Sequence, residues 1–326
     1  MKTIAIPALQ TADSLGAIGP FELLGKTCAL WRQLAQTPSA PLFTVRLVSA
    51  SRKPIAYPNG VSVTPTATFQ SCRPDIIVVP SIDQAIDDSL KQNAACVSWL
   101  RKCFQQGAHV SSFCTGAFVL GAAGILDGRQ ATTHWYFAEQ FKQRFPHTRL
   151  REDQVIVDEG RVVTSGAATS FLNLIIYLVG KHFGQDLAVR ASKLFLIDMD
   201  RPSQLPYRIF SPPVGHNDSP IARSQEFIGI RLKASLPLEL LAKQAGMSPR
   251  NFSRRFKAAT GESVAVYIQK LRLEAAKNLF ETSNLSAAEV TYRTGYSDER
   301  SFRRLFKRYT GLAPKNYRAK FSLRSQ

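Results

Sequence analysis

Residues 252–261, Phe-Ser-Arg-Arg-Phe-Lys-Ala-Ala-Thr-Gly, recur fifty positions later as Phe-Arg-Arg-Leu-Phe-Lys-Arg-Tyr-Thr-Gly at 302–311. A duplication this close confines the C-terminal part of the chain to a fold that builds one small helical unit twice. In each copy two phenylalanines four apart share a helix face, the basic residues point elsewhere, and glycine stands where the helix ends. A second helix and a tight turn precede each copy. In the first, Leu238, Leu241, Ala242 and Ala245 keep helical spacing, Gly246 turns the chain, and Ser248-Pro249 supplies a cap and a first-turn proline. In the second, Ser286 and Glu289 form a capping box ahead of Val290, and Gly295 turns the chain. Helix, glycine turn and basic helix make the helix-turn-helix plan, expected over residues 238–259 and 287–309. Between the copies, residues 262–283 form a continuous helical pattern with Val264, Ile268, Leu271, Ala275 and Leu279 along one face. Twenty-two residues at ~1.5 Å each give about 33 Å, near the ~34 Å turn of B-DNA that separates successive major-groove faces. Thr291 and Thr294 replace Ala242 and Ala245, which predicts looser packing and a smaller share of affinity for the second copy.

The charge distribution agrees. The 326 residues carry 42 Lys and Arg against 24 Asp and Glu, net +18, which calls for a polyanionic partner. Residues 219–326 hold 21 basic and 8 acidic side chains, net +13, whereas residues 1–218 hold 21 and 16, net +5. This length predicts two domains, and 44% hydrophobic with 20% charged residues excludes a disordered or fibrous chain. Five prolines (Pro202, Pro206, Pro212, Pro213, Pro220) mark a linker, placed at 199–218, between a domain at 1–198 and a DNA-binding domain at 219–326. Five cysteines without CxxC spacing indicate neither a disulfide framework nor a zinc site, and a cytoplasmic location is expected. The longest strongly apolar run, 171–180, is half the ~20 residues of a membrane helix. The first residues read as a strand and lack signal-peptide shape. No membrane partner is expected.

Upstream of the linker, β-branched runs at 3–9, 43–49, 75–80 and 108–113 alternate with helical patterns at 19–36, 93–106 and 115–126. A late hairpin around Asp158-Glu159-Gly160 and one or two closing helices over 167–198 follow. The alternation predicts a mostly parallel sheet covered by helices on both faces. The strand at 108–113 runs directly into Cys114-Thr115-Gly116 and a small-residue helix, the plan of a nucleophile elbow, where helix amides favour a thiolate. His134 is the one candidate base nearby. His109, His147, His182 and His216 show no metal-ligand spacing, and neither a metal nor a cofactor is expected.

From Ser219 to Phe321, the tandem motifs and the ending Gly311-Leu312-Ala313-Pro314-Lys315-Asn316-Tyr317-Arg318 resemble the AraC/XylS family of transcription regulators. The resemblance implies base reading by Arg250, Ser253 and Arg254 in the first recognition helix and by Glu299, Arg300, Arg303 and Arg304 in the second. Lys257, Lys307, Arg308 and Lys315 are then expected on phosphates. Residues 111–117, Leu126-Asp127-Gly128-Arg129 and Thr133-His134-Trp135 resemble the PfpI/ThiJ-type, class I glutamine-amidotransferase-like domain. The two together are the arrangement of the GlxA-type regulators, whose members include activators of carnitine, glycine betaine and arginine catabolism. That implies a flavodoxin-like α/β sandwich that senses a small molecule and forms a homodimer, followed by an all-α domain with two helix-turn-helix motifs on promoter DNA. An activator would also engage RNA polymerase. Hydrolytic relatives of the first domain carry an acidic residue four positions before the proline of the first helix. Here Gly16 holds that place ahead of Pro20, with Asp13 and Glu22 offset from it. Cys114, Thr115, Gly116, His134 and Gly16 are therefore expected to line an effector pocket without catalysis. The alternatives are a cysteine-dependent hydrolase or glyoxalase-like enzyme fused to a regulatory module, and an electrophile or redox sensor built on Cys114.

Overall fold

The computed structural model describes residues 1–34 and 41–322. The chain forms two compact units, Met1–Gln204 and Leu205–Gln326.

The first unit is built on a seven-stranded sheet. Its strands are β1 (Lys2–Pro7), β2 (Phe43–Ser49), β3 (Ala67–Thr68), β4 (Ile76–Val79), β5 (His109–Phe113), β6 (Ile156–Glu159) and β7 (Val162–Ser165), in the order β6-β7-β5-β4-β1-β2-β3. All pairs are parallel except β6 with β7, the hairpin at one edge. Strand β4, Ile-Ile-Val-Val, is buried at every position, as a parallel strand covered on both faces must be. The covering helices are α1 (Ser14–Leu34), α2 (Ile86–Gln92), α3 (Ala94–Gln105), α4 (Gly116–Ala122), α5 (Ala138–Arg144), α6 (Ser170–Phe183) and α7 (Gln185–Leu194). This is the flavodoxin-like α/β layering expected. Helix α1 begins five residues before the expected start, with Pro20 inside it, and residues 35–36 of the expected span lie outside the described residues.

The second unit is all-helical: α8 (Ser219–Ile230), α9 (Leu238–Gln244), α10 (Pro249–Thr260), α11 (Val264–Thr282), α12 (Ala287–Arg293), α13 (Glu299–Thr310) and α14 (Pro314–Phe321). It holds two hydrophobic clusters, one per copy of the repeat. Phe252, Phe256 and Tyr267 form one, and Phe302, Phe306 and Tyr317 repeat the arrangement in the other. Tyr267 meets Phe256 edge-on at 5.1 Å, and Tyr317 meets Phe306 edge-on at 5.3 Å. Helix α11 joins the clusters, but not by one stripe. Its first half buries Val264, Tyr267 and Ile268 in the first cluster, and its second half buries Leu273, Ala276 and Phe280 in the second. At about 100° per residue these triplets face roughly opposite sides of the helix. The two copies lie on either side of one rod, where a single stripe would have served only one of them.

Thr291 and Thr294 are accommodated in the second copy without an orphaned hydroxyl. Both are buried, and their hydroxyls donate to the carbonyls four residues back, Ala287 and Val290, at 2.7 Å each. A threonine that satisfies its hydroxyl on its own helix packs without an unpaired polar group.

Residues 199–218 are shared by the two units. Gln204, 2% exposed, anchors the first: its Nε2 donates to Thr132 Oγ1 (3.1 Å), the Thr133 carbonyl (3.0 Å) and the Gln154 carbonyl (2.9 Å). From Leu205 onward the chain packs within the second unit, where the buried Lys277 ammonium donates to the Arg208 carbonyl and Phe210 meets Tyr267 at 5.7 Å.

Candidate functional site

A cleft of about 670 Å³ opens outside the carboxyl ends of β1, β4 and β5, where open α/β sheets place their ligands. Cys114 sits at its base with φ 54°, in the left-handed region, held there by its N–H donating to the Ser165 and Gly166 carbonyls at 3.0 and 2.6 Å. Its own carbonyl accepts from Thr133 Oγ1 at 2.9 Å. Thr115 stitches the elbow to the next loop, donating to the Ile82 carbonyl (2.6 Å) and accepting from the Ile82 N–H (2.8 Å). Gly116 cannot be replaced without displacement: a Cβ there would lie 2.5 Å from the Pro80 carbonyl oxygen.

The elbow geometry is present, but the expected thiolate is not. Burial pushes the Cys114 thiol up to about 11, and the Asp13 carboxylate adds to this, outweighing hydrogen bonds from Thr115 that act the other way. His134 shares the cleft. Its Nδ1 accepts from the Tyr136 N–H at 3.0 Å, and burial holds its pKa below the usual imidazole value. A neutral ring whose Nδ1 is an acceptor carries its proton on Nε2, so no lone pair remains free to take the cysteine proton. No hydrogen bond joins Cys114 to His134 among the described residues.

Neither Gly16 nor Gly116 is among the lining residues: Gly116 packs against the Pro80 carbonyl, and the acid missing from the position of Gly16 enters from three residues earlier. Asp13 caps the true start of α1, accepting from the Gly16 N–H at 2.5 Å, and its second oxygen accepts from Ser81 Oγ at 3.3 Å. A Cβ at Gly16 would lie 3.0 Å from the Asp13 carboxylate, so the glycine makes room for the aspartate. The sequence signal is a capping aspartate three residues before a glycine, ahead of the helical pattern expected from residue 19. Asp13, Asp83 and Asp88 line the cleft together, with no lysine or arginine among the described residues lining it. Ser89 also lines it, 1% exposed, with an Oγ that has no protein partner among the described residues.

In the second unit the recognition helices carry the same pattern twice. On α10, Phe252, Phe256 and Thr260 are buried, while Arg250, Arg254 and Lys257 are exposed; on α13, Phe302, Phe306 and Thr310 are buried, while Arg300, Arg304 and Lys307 are exposed. Helical geometry puts each exposed trio on the side opposite the buried one. Ser253 and Arg303 stand on the flank between, Arg308 on the other flank of α13, and Lys315 in the first turn of α14. Glu299, half-buried, pairs with Arg303 at 2.5 Å. Both helices are capped by side chains, Ser248 on the Asn251 N–H and Asp298 on the N–H groups of Arg300 and Ser301, and both end on a left-handed glycine, Gly261 and Gly311. Arg255 is committed elsewhere, clasping the Asp218 carboxylate through two hydrogen bonds of 2.8 Å.

An α/β domain with a ligand cleft, followed by two in-register arginine-bearing helix-turn-helix modules, defines a DNA-binding transcription regulator. Comparison with known proteins gives the family. The model of the DJ-1/PfpI family matches residues 2–180, and that of a helix-turn-helix domain matches residues 241–320. The chain is 30% identical over 220 residues to the HTH-type transcriptional regulator GlxA of Rhizobium meliloti (strain 1021), covering 67% of this chain and 68% of that one. It is 25% identical over 288 residues to the HTH-type transcriptional regulator CdhR of Pseudomonas aeruginosa, covering 88% and 84%. It is 31% identical over 186 residues to the isonitrile hydratase of Pseudomonas putida, covering 57% and 72%. Among solved structures, a candidate transcriptional regulator from Vibrio parahaemolyticus superposes with a TM-score of 0.52 at 25% identity, over 59% of this chain and 98% of that one. The protein belongs to the DJ-1/PfpI family and, through its AraC-type helix-turn-helix domain, to the GlxA-like transcription regulators. No helix among the described residues is long and apolar enough to cross a membrane.

Proposed function

We propose that this regulator is a cytoplasmic, metabolite-responsive activator of a catabolic operon, working as a homodimer on promoter DNA with RNA polymerase as its further partner. The carrying observation is the cleft around Cys114: three aspartates and, among the described residues, no lysine or arginine line it in a chain of net charge +18. Such a lining favours an effector that presents a cationic group to it, the ammonium or guanidinium of an amino acid or the quaternary ammonium of a betaine-like compound. Ser89, buried and without a protein partner, would gain a hydrogen bond from an amino or hydroxyl group. The effector acts by binding one arrangement of the regulator more tightly than another.

In this reading Cys114, Thr115 and His134 shape the pocket and perform no chemistry. The likeness to a hydratase raises the catalytic alternative, but a protonated thiol beside an imidazole without a free lone pair lacks the base that nucleophilic attack requires. On the DNA side, Arg250, Arg254, Arg300 and Arg304 read base edges from the outward faces, with Ser253, Arg303 and Glu299 beside them, while Lys257, Lys307, Arg308 and Lys315 bind phosphates.

A thermal-shift screen with arginine, carnitine and glycine betaine tests the input side. One of these amines should raise the unfolding temperature of the wild type and fail to do so with Asp13→Asn. Stabilisation by an anionic compound instead, unaffected by Asp13→Asn, would overturn the cationic assignment.

A further inference from the structure

The repeat permits a position-by-position comparison of the two DNA-binding modules, and one side of the second carries more positive charge than its counterpart in the first. A cleft of about 740 Å³ lies between α13 and α14, floored by Phe280, Ala287, Pro314 and Ala319, and five cations line it: Arg303, Arg304, Lys307, Lys315 and Arg318. No acidic residue lines it among the described residues. Fifty residues earlier the corresponding positions hold Ser253, Arg254, Lys257, Ala265 and Ile268, two cations in place of five. Ile268 is buried in the first hydrophobic cluster. Arg318 holds its guanidinium over the Phe280 ring, 5.1 Å from the centroid, and donates one N–H to the Leu285 carbonyl.

The helix starts differ in the same sense. Helix α11 begins behind Ser263, whose hydroxyl accepts the Val266 N–H at 3.5 Å. Helix α14 begins behind Ala313, which has no capping side chain, and Ala313, Pro314 and Lys315 all line the cleft. An uncapped helix start presents amide donors and the positive end of the helix dipole. Five cations, of which Arg303 is paired with Glu299, beside the amides of Lys315 and Asn316 in the first turn and on an apolar floor, suit an anion with several acceptor oxygens.

We propose that this cleft is a seat for a phosphate of the DNA backbone, and that the second module is the electrostatic anchor of the pair while the first depends more on base contacts. The inference rests on the DNA-binding reading above and adds Arg318 to the phosphate contacts. It also turns Arg303, on the flank towards α14, from the bases to the backbone. Arg300 and Arg304 keep the outward face.

The test uses the full-length protein, a duplex that it selects from random-sequence DNA, and a permuted duplex of the same composition. Binding is measured as a function of salt for the wild type, Lys315→Gln, Arg318→Gln and the double variant. Each phosphate lost should lower the slope of log affinity against log salt by about 0.9, so the double variant should fall by up to about 2, with equal proportional loss on both duplexes. An unchanged slope, or a loss confined to the selected duplex, would overturn the proposal. Lys315 is exposed, so its variant carries the test should Arg318→Gln impair folding. If the wild type shows no preference for its selected duplex, base reading itself fails, and the slope still judges the phosphate seat alone.

Discussion

Two clefts of similar size, about 670 and 740 Å³, are lined by opposite charges in one chain. The first, at the Cys114 elbow, gathers three aspartates; the second, beside α13, gathers five cations. A net charge of +18 taken as one number hides this division. The acidic cleft survives in a basic protein because its carboxylates are held by local geometry. Asp13 is pinned by the Gly16 N–H and Ser81. In the basic cleft the long side chains converge from α13 and α14, with Arg318 held by Phe280 and the Leu285 carbonyl and Arg303 by Glu299. In the proposed reading the input and output of the regulator are thus written in opposite electrostatics, and the chain can be broken at either one.

The largest effect is expected from Phe306→Ala. A fully buried ring shared by Phe280, Phe302 and Tyr317 is lost, costing about 3–5 kcal/mol. Calorimetry should show the second unit melting earlier, with the acidic cleft and its ligand response intact. Gly116→Val should do the reverse. Its side chain meets the Pro80 carbonyl, and overpacking of this kind costs about 1–3 kcal/mol, so the first unit should lose stability while DNA affinity is retained.

A smaller effect separates the clefts by pH. His109 and His182 lie edge to face at 4.8 Å in the first unit, and burial, with Lys2 and Lys181 nearby, holds both below the usual imidazole value, His182 near about 4. The folded state therefore resists their protonation more than the unfolded chain does. Stability of the first unit should be level above about pH 6.5, the unfolded value, and decline as pH falls towards 4. His182→Gln should flatten that decline, as read by chemical denaturation at stepped pH. The smallest effect is on the thiol itself: because Asp13 raises the Cys114 pKa, Asp13→Asn should shift the pH profile of Cys114 alkylation to lower pH.

The halves of the molecule were unequally legible in the sequence. The helix-turn-helix pair could be read because its core and outward residues recur in register, so Phe252 and Phe302, or Arg254 and Arg304, identify each other. The strands were legible from β-branched runs such as 43–49. The two-sided burial of α11 was not, because which face a residue buries depends on a neighbour that changes halfway along. The acidic cleft was less legible still. Its walls come from residues 10–13, 81–92, 114–115 and 134–137, joined only by the sheet. Asp13 is offset in sequence from the acidic position that Gly16 holds, and only the start of α1 at Ser14, with Pro20 in its seventh position, makes it the helix cap beside the cleft.

The central claim, that the outward arginines of both recognition helices read DNA bases, is tested most directly by a shift assay on a duplex selected by the wild type. Arg254→Ala and Arg304→Ala should each cost about 1–3 kcal/mol on that duplex and relax the base preference at separate positions. Both variants binding the selected duplex with unchanged affinity and preference would contradict it.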